Sequence, residues 1–198
     1  MTSLQVLRTC FVLLFIFRRS TMRIICTCVV LFAVAYASAE KRFLNNYACG
    51  ITSTIANSIK AQLKIDEGYK TVIYRDSRGY LTFGIGHLIT HNDPEYGKPA
   101  GTHVSTSRID SAFQSDVTAA VNTFHSIFPH CSSLPREVKE IIVNMAFNLG
   151  GGLRNFHNFI SAVNSHNWSK AADEMVDSAW YRQVGNRSVR LVARMRAV

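Results

Sequence analysis

Ile51, Ile55, Ile59 and Leu63 recur every fourth residue, with mostly polar positions between them. That spacing places all four on one face of a helix ending near Asp66, and Gly68 supplies the stop. The period then changes. Residues 71–90 are rich in β-branched and aromatic side chains, with Ser77-Arg78-Gly79 as a turn and Gly84 and Gly86 interrupting the pattern; this predicts a small antiparallel sheet. Residues 92–101, with Asp, two Pro and two Gly, predict a loop. Ser105 is placed to cap a long helix whose inner face carries Ile109, Phe113, Val117, Ala120, Val121 and Phe124, ending before Pro129. Pro135 opens another helix, with Val138, Ile141, Ile142 and Met145 inward and Gly150-Gly151-Gly152 as its end. Shorter helices are predicted over residues 158–164 and 169–181, and a last one from about Asn186 carries Val189, Val192 and Met195. The fold class is therefore α+β: a small sheet lobe and an all-helical lobe joined by one long helix. A cleft between such lobes is a usual ligand site.

The first residues follow a different rule. Phe11 to Phe17 and Ile24 to Ala37 are apolar runs separated by Arg18, Arg19 and Arg23, and no acidic residue precedes Glu40. A basic start, an apolar stretch and the small residues Ala37-Ser38-Ala39 describe a secretory leader. Residues 1–39 are thus expected to be cleaved, leaving a domain over residues 40–198. Met22 could serve as an alternative start, and Lys41-Arg42 as a trimming site. Neither run reaches the ~20 uninterrupted apolar residues of a spanning helix. Loss of Arg8, Arg18, Arg19 and Arg23 with the leader lowers the formal charge from +9 to +5. Such moderate basicity suits a polyanion, either a bacterial wall or a nucleic acid, and it equally serves solubility alone. Cys49 and Cys131 are the cysteines left after the leader. An even count in a secreted chain suggests a disulfide, with two free thiols as the alternative. Asn167-Trp-Ser and Asn186-Arg-Ser are acceptor sequons for N-glycosylation.

Candidate chemistry concentrates in residues 65–87, which read I-D-E-G-Y-K-T-V-I-Y-R-D-S-R-G-Y-L-T-F-G-I-G-H. Glu67, Asp76 and Thr82 supply two carboxylates and a hydroxyl able to orient water, the groups that hydrolysis of a glycosidic bond requires. Glu67 at a helix end is the candidate general acid. Asp76 is the candidate carboxylate that positions water or stabilises positive charge. The two tasks need different proton states, so the acid should occupy the less solvated place. No Cys/His or His/His spacing resembles a metal site, and no cofactor motif is present.

This run resembles the catalytic segment of the phage-type lysozymes, glycoside hydrolase family 24. The resemblance continues through Val143 to Gly150 and through Ser178-Ala-Trp180-Tyr181 to Asn186-Arg187. It implies the lysozyme-like fold, inverting hydrolysis of peptidoglycan, and catalytic roles for Glu67, Asp76 and Thr82. It places Leu88 and Phe147 against sugar and pairs His87 with Asp116 as a structural ion pair. Asp66 then has a structural role, and Trp180 reads as a core residue more readily than a sugar platform. In this family the N-terminal helix packs back on the helical lobe, which would bring Cys49 to Cys131. Asn148, Phe159 and Glu174 depart from the family pattern at outer sugar and peptide contacts.

The function expected is a secreted, monomeric muramidase acting on bacterial peptidoglycan, with no cofactor, metal or nucleic-acid partner. One alternative is a lytic transglycosylase, which needs no second carboxylate for water. Another is a non-catalytic cationic antibacterial protein. Membrane contact would then run through Arg187, Arg190, Arg194 and Arg196 on the basic C-terminal helix.

Overall fold

A computed structural model describes residues 48–76 and 78–198; the expected leader, residues 1–39, and the expected trimming site at Lys41-Arg42 lie outside them. Helix α1, Ser53–Glu67, starts at Thr52, whose hydroxyl accepts the Ile55 amide, and stops at Gly68. Ile55, Ala56, Ile59 and Leu63 form its buried face, as the fourfold spacing requires. Strands β1 (Lys70–Arg75), β2 (Leu81–Gly84) and β3 (His87–Leu88) follow as one antiparallel sheet in the order β1-β2-β3. Tyr74 stands opposite Thr82, and Thr82 opposite Leu88. Ile73, Phe83 and Ile85 point into the core. The loop after β3 returns to β1, where the Ile73 amide donates to the Thr102 carbonyl at 2.9 Å.

The long helix α2, Thr106–Ile127, is capped by Ser105 and buries the predicted face from Ile109 to Phe124. After a short 3-10 turn, Cys131–Ser133, comes α3, Arg136–Leu149. This helix is buried on almost every side from Val138 to Ala146, which marks it as the centre of the helical lobe. It packs on α1 and α2. A 3-10 segment, Gly150–Asn155, leads into α4, His157–Asn164.

The helix predicted over residues 169–181 is two helices, α5 (Trp168–Asp177) and α6 (Ala179–Gln183). Ser178 breaks it. Its hydroxyl donates to the Met175 carbonyl at 2.7 Å and accepts from the Tyr181 amide at 3.1 Å. A serine that bonds the backbone on both sides substitutes for helix bonds and caps the next helix. Trp180, just beyond, is buried, and its indole N–H donates to Asn148. Helix α7, Asn186–Arg196, closes the lobe against α5 and α3.

Cys49 and Cys131 are joined in a disulfide spanning 82 residues. It ties the segment before α1 to the turn before α3. In the chain-entropy model a loop of that size adds on the order of 4 kcal/mol of stability.

Candidate active site

Glu67 is the last residue of α1, and the neighbouring elements fix its carboxylate from a distance. Arg187, from the first turn of α7, donates Nη1 to Glu67 Oε1 at 2.6 Å. The same guanidinium donates Nε to Asn144 Oδ1 at 2.8 Å and Nη2 to the Asn144 carbonyl at 3.0 Å. Asn144 in turn donates to Asp66 Oδ2 at 2.8 Å. Asp66 also takes Gln62 and Arg190, and its side chain has no exposed surface. Asp66 therefore works as a buried anchor between α1, α3 and α7. The Glu67 side chain is 20 % exposed. It is not simply a desolvated acid, because a cation occupies one oxygen. Its other oxygen faces Gly86, where an added Cβ would come within 3.0 Å of Oε2. Gly86, with φ of +72°, leaves this room and takes a backbone form that other residues avoid.

Asp76 is held by its own turn. Its Oδ1 accepts the Arg78 amide at 2.9 Å and the Tyr80 amide at 2.8 Å. Among the described residues its second oxygen takes no bond, so it is free for water or substrate. Thr82, only 4 % exposed, donates its hydroxyl to the Tyr80 carbonyl at 3.3 Å. Glu67, Asp76 and Thr82 line one cleft of about 910 Å³, together with Tyr74, Leu88 and Phe147. Leu88 is 45 % exposed, as a surface for ligand would be. Phe147 is braced edge-on by Phe113 at 5.9 Å. Leu149 and Gln183 also border a second cavity of about 480 Å³, lined by Phe159 and Glu174. Phe159 is core at 1 % exposure, and Glu174 pairs with Lys170 at 2.7 Å.

His87 lies between two carboxylates, with Nδ1 2.8 Å from Asp116 and Nε2 3.1 Å from Asp93. Burial opposes charge on the ring. The hydrogen bonds and charges of Asp116 and Asp93 outweigh it and hold the His87 pKa above its ordinary value. Asp93 moves the other way. Burial opposes its ionisation, but bonds from the Thr90 amide and hydroxyl and from His87 lower its pKa to about 2. Arg108 joins Asp93 to Glu95 and lies 5.1 Å over the Phe83 ring.

Sequence reasoning missed Asp93, Glu95, Arg108 and the anchoring roles of Asn144 and Arg187. Only Asp93 left a local trace, the Thr-x-x-Asp spacing from Thr90. The four arginines of α7, read from sequence as a basic face, are each in an ion pair. Arg187 meets Glu67, Arg190 meets Asp66, Arg194 meets Glu137 and Glu140, and Arg196 meets Asp173.

A two-lobed α+β fold with two carboxylates and a hydroxyl in the connecting cleft defines a class, the glycoside hydrolases of lysozyme type. The chain belongs to the phage lysozyme family, whose model matches residues 64–197. It is 29 % identical over 160 residues to a probable T4-type lysozyme 1 of Dictyostelium discoideum, covering 70 % of this chain and 94 % of that one. A second such protein, probable T4-type lysozyme 2, is 29 % identical over 159 residues, with 70 % and 94 % covered. The chain is also 27 % identical over 153 residues to the pre-baseplate central spike protein Gp5 of Enterobacteria phage T4. There it covers 68 % of this chain and 27 % of the spike protein.

Proposed function

We propose that this lysozyme is a secreted, monomeric muramidase. It cuts the β-1,4 bond between N-acetylmuramic acid and N-acetylglucosamine in bacterial peptidoglycan, with inversion, in defence or digestion. The observation that carries this reading is the shared cleft of Glu67, Asp76 and Thr82. Glu67 donates a proton from Oε2 to the leaving oxygen while Arg187 keeps the side chain in place through Oε1. Asp76 presents its free oxygen to the attacking water, with Thr82 as the second contact of that water. The positive charge that develops on the sugar is stabilised by the Asp76 carboxylate. Leu88 and Phe147 supply apolar surface for sugar faces. The leader pattern of residues 1–39 supports secretion.

A transglycosylase needs no carboxylate to activate water, so Asp76 argues for hydrolysis. The cationic reading draws less support, because all four α7 arginines that would carry it are paired. Mass spectrometry of fragments released from purified peptidoglycan tests the choice. Reducing muramic ends are expected, and anhydro ends would mean transglycosylation.

A further inference from the structure

The role of one polar group in the cleft is not accounted for by the two carboxylates and the threonine. Tyr74 sits on β1, directly opposite Thr82 on β2, so the two side chains leave the sheet as a cross-strand pair. Its neighbour Ile73 points the other way and is fully buried, as strand alternation requires. Tyr74 therefore faces the cleft, which it lines with Glu67, Asp76 and Thr82. The ring is held from one side, with the Lys70 ammonium 3.9 Å from its centroid. The hydroxyl makes no hydrogen bond to any described residue. A half-buried phenol whose ring is held and whose hydroxyl opens on the cleft offers a donor to whatever lies there.

We propose that the Tyr74 hydroxyl is a substrate-binding group that donates a hydrogen bond to the saccharide lying between Glu67 and Asp76 and so orients the bond to be cut. The inference rests on the muramidase reading and adds a fourth residue to that site. Protonated Glu67 is committed to the leaving oxygen and Asp76 presents only acceptors, so any further oxygen of an N-acetylhexosamine there needs a donor from elsewhere. Tyr74 keeps its proton for this purpose. Burial first, then the charges of Glu67 and Asp76, raise its pKa above the ordinary phenol value. It therefore stays a neutral donor.

Two measurements test this. Tyr74→Phe removes one oxygen and keeps the ring. On purified peptidoglycan, kcat should fall roughly three- to tenfold, as for loss of a single neutral hydrogen bond. KM should change less than twofold and the thermal midpoint should not move, because an orienting contact acts on turnover. An unchanged kcat overturns the proposal, whether or not stability falls. The second measurement needs no activity. In protein labelled with 13C at the tyrosine ring, with the Tyr74 signal assigned through Tyr74→Phe, the phenol pKa should drop in Glu67→Gln and again in Asp76→Asn. A phenol that ignores both substitutions does not lie between the carboxylates, and the proposal fails. If the wild-type protein releases no peptidoglycan fragments, the muramidase reading fails instead, and the titration still decides where the phenol sits.

Discussion

Asp76 is held by Arg78 and Tyr80, two and four residues along the chain, whereas Glu67 is held by Arg187, 120 residues away. The turn around Asp76 closes on itself. The Tyr80 carbonyl also accepts the Asp76 amide at 2.9 Å, and Arg75 donates to the Gly79 carbonyl at 2.7 Å. The end of α1 does nothing comparable for Glu67. Its geometry depends on α3 and α7 both being in place, through Asn144, Arg187 and Arg190. One carboxylate is thus positioned when six residues fold. The other is positioned only when the C-terminal helix docks. Local unfolding at the turn and undocking of α7 should therefore affect the two carboxylates separately.

The largest expected effect comes from removing either carboxylate. Glu67→Gln and Asp76→Asn should each cut peptidoglycan turnover by roughly a hundredfold or more, the usual worth of a positioned acid or base. Circular dichroism should show both variants folded. Near-normal turnover in either one would remove that residue from the chemistry.

Arg187→Met separates the two modes of support. Arg187 is 7 % exposed and serves Glu67 and Asn144 at once. Losing one partner of a buried pair costs about 3–5 kcal/mol. Urea titration should show that loss, with turnover reduced alongside it because Glu67 is no longer held. A variant with full stability would mean that the long-range anchor contributes nothing.

His87→Asn tests the pair network beside the cleft. The raised His87 pKa means its stabilisation is complete below the ordinary value of 6.5 and is lost as pH rises through the folded pKa. The lowered Asp93 pKa means its share is complete above 3.8 and is lost as pH falls through about 2. The variant should therefore lose most stability between roughly pH 4 and 6.5, on the order of 2 kcal/mol for bonds to charged groups. A loss that is equal at every pH from 2 to 9 would contradict the ion-pair account.

The smallest effect is expected in the local turn. Gly79 has φ of +87° and bonds the Asp76 carbonyl through its amide at 3.0 Å. Gly79→Ala should cost about 1 kcal/mol from the left-handed backbone form, with a modest fall in turnover as Asp76 shifts. Equal losses from Gly79→Ala and Arg187→Met would erase the distinction between the two carboxylates.

The same distinction explains what the sequence disclosed. Helices with a fourfold apolar face, such as α1 and α2, and turns marked by Asp, Ser, Arg and Gly are short-range patterns, and they were legible. The break at Ser178 was not, because a serine inside an amphipathic run reads equally as an exposed helix residue or as a cap. The arginines of α7 looked like one basic face. Their acidic partners Asp66, Glu67, Glu137, Glu140 and Asp173 come from three other helices, and pairing across such distances leaves no periodic mark. His87 with Asp93 is an intermediate case. The bonds from Thr90 to Asp93 are local, but the approach to His87 depends on how the loop after β3 folds back.

The central claim is that Glu67 and Asp76 act from opposite sides of the scissile bond, with water between Asp76 and the sugar. The stereochemistry of the first product tests it most directly. Proton NMR on a soluble peptidoglycan glycan, recorded before the anomers equilibrate, should show the α-anomer first. An initial β-anomer would mean retention through a covalent intermediate and would contradict the assignment of Asp76 to water.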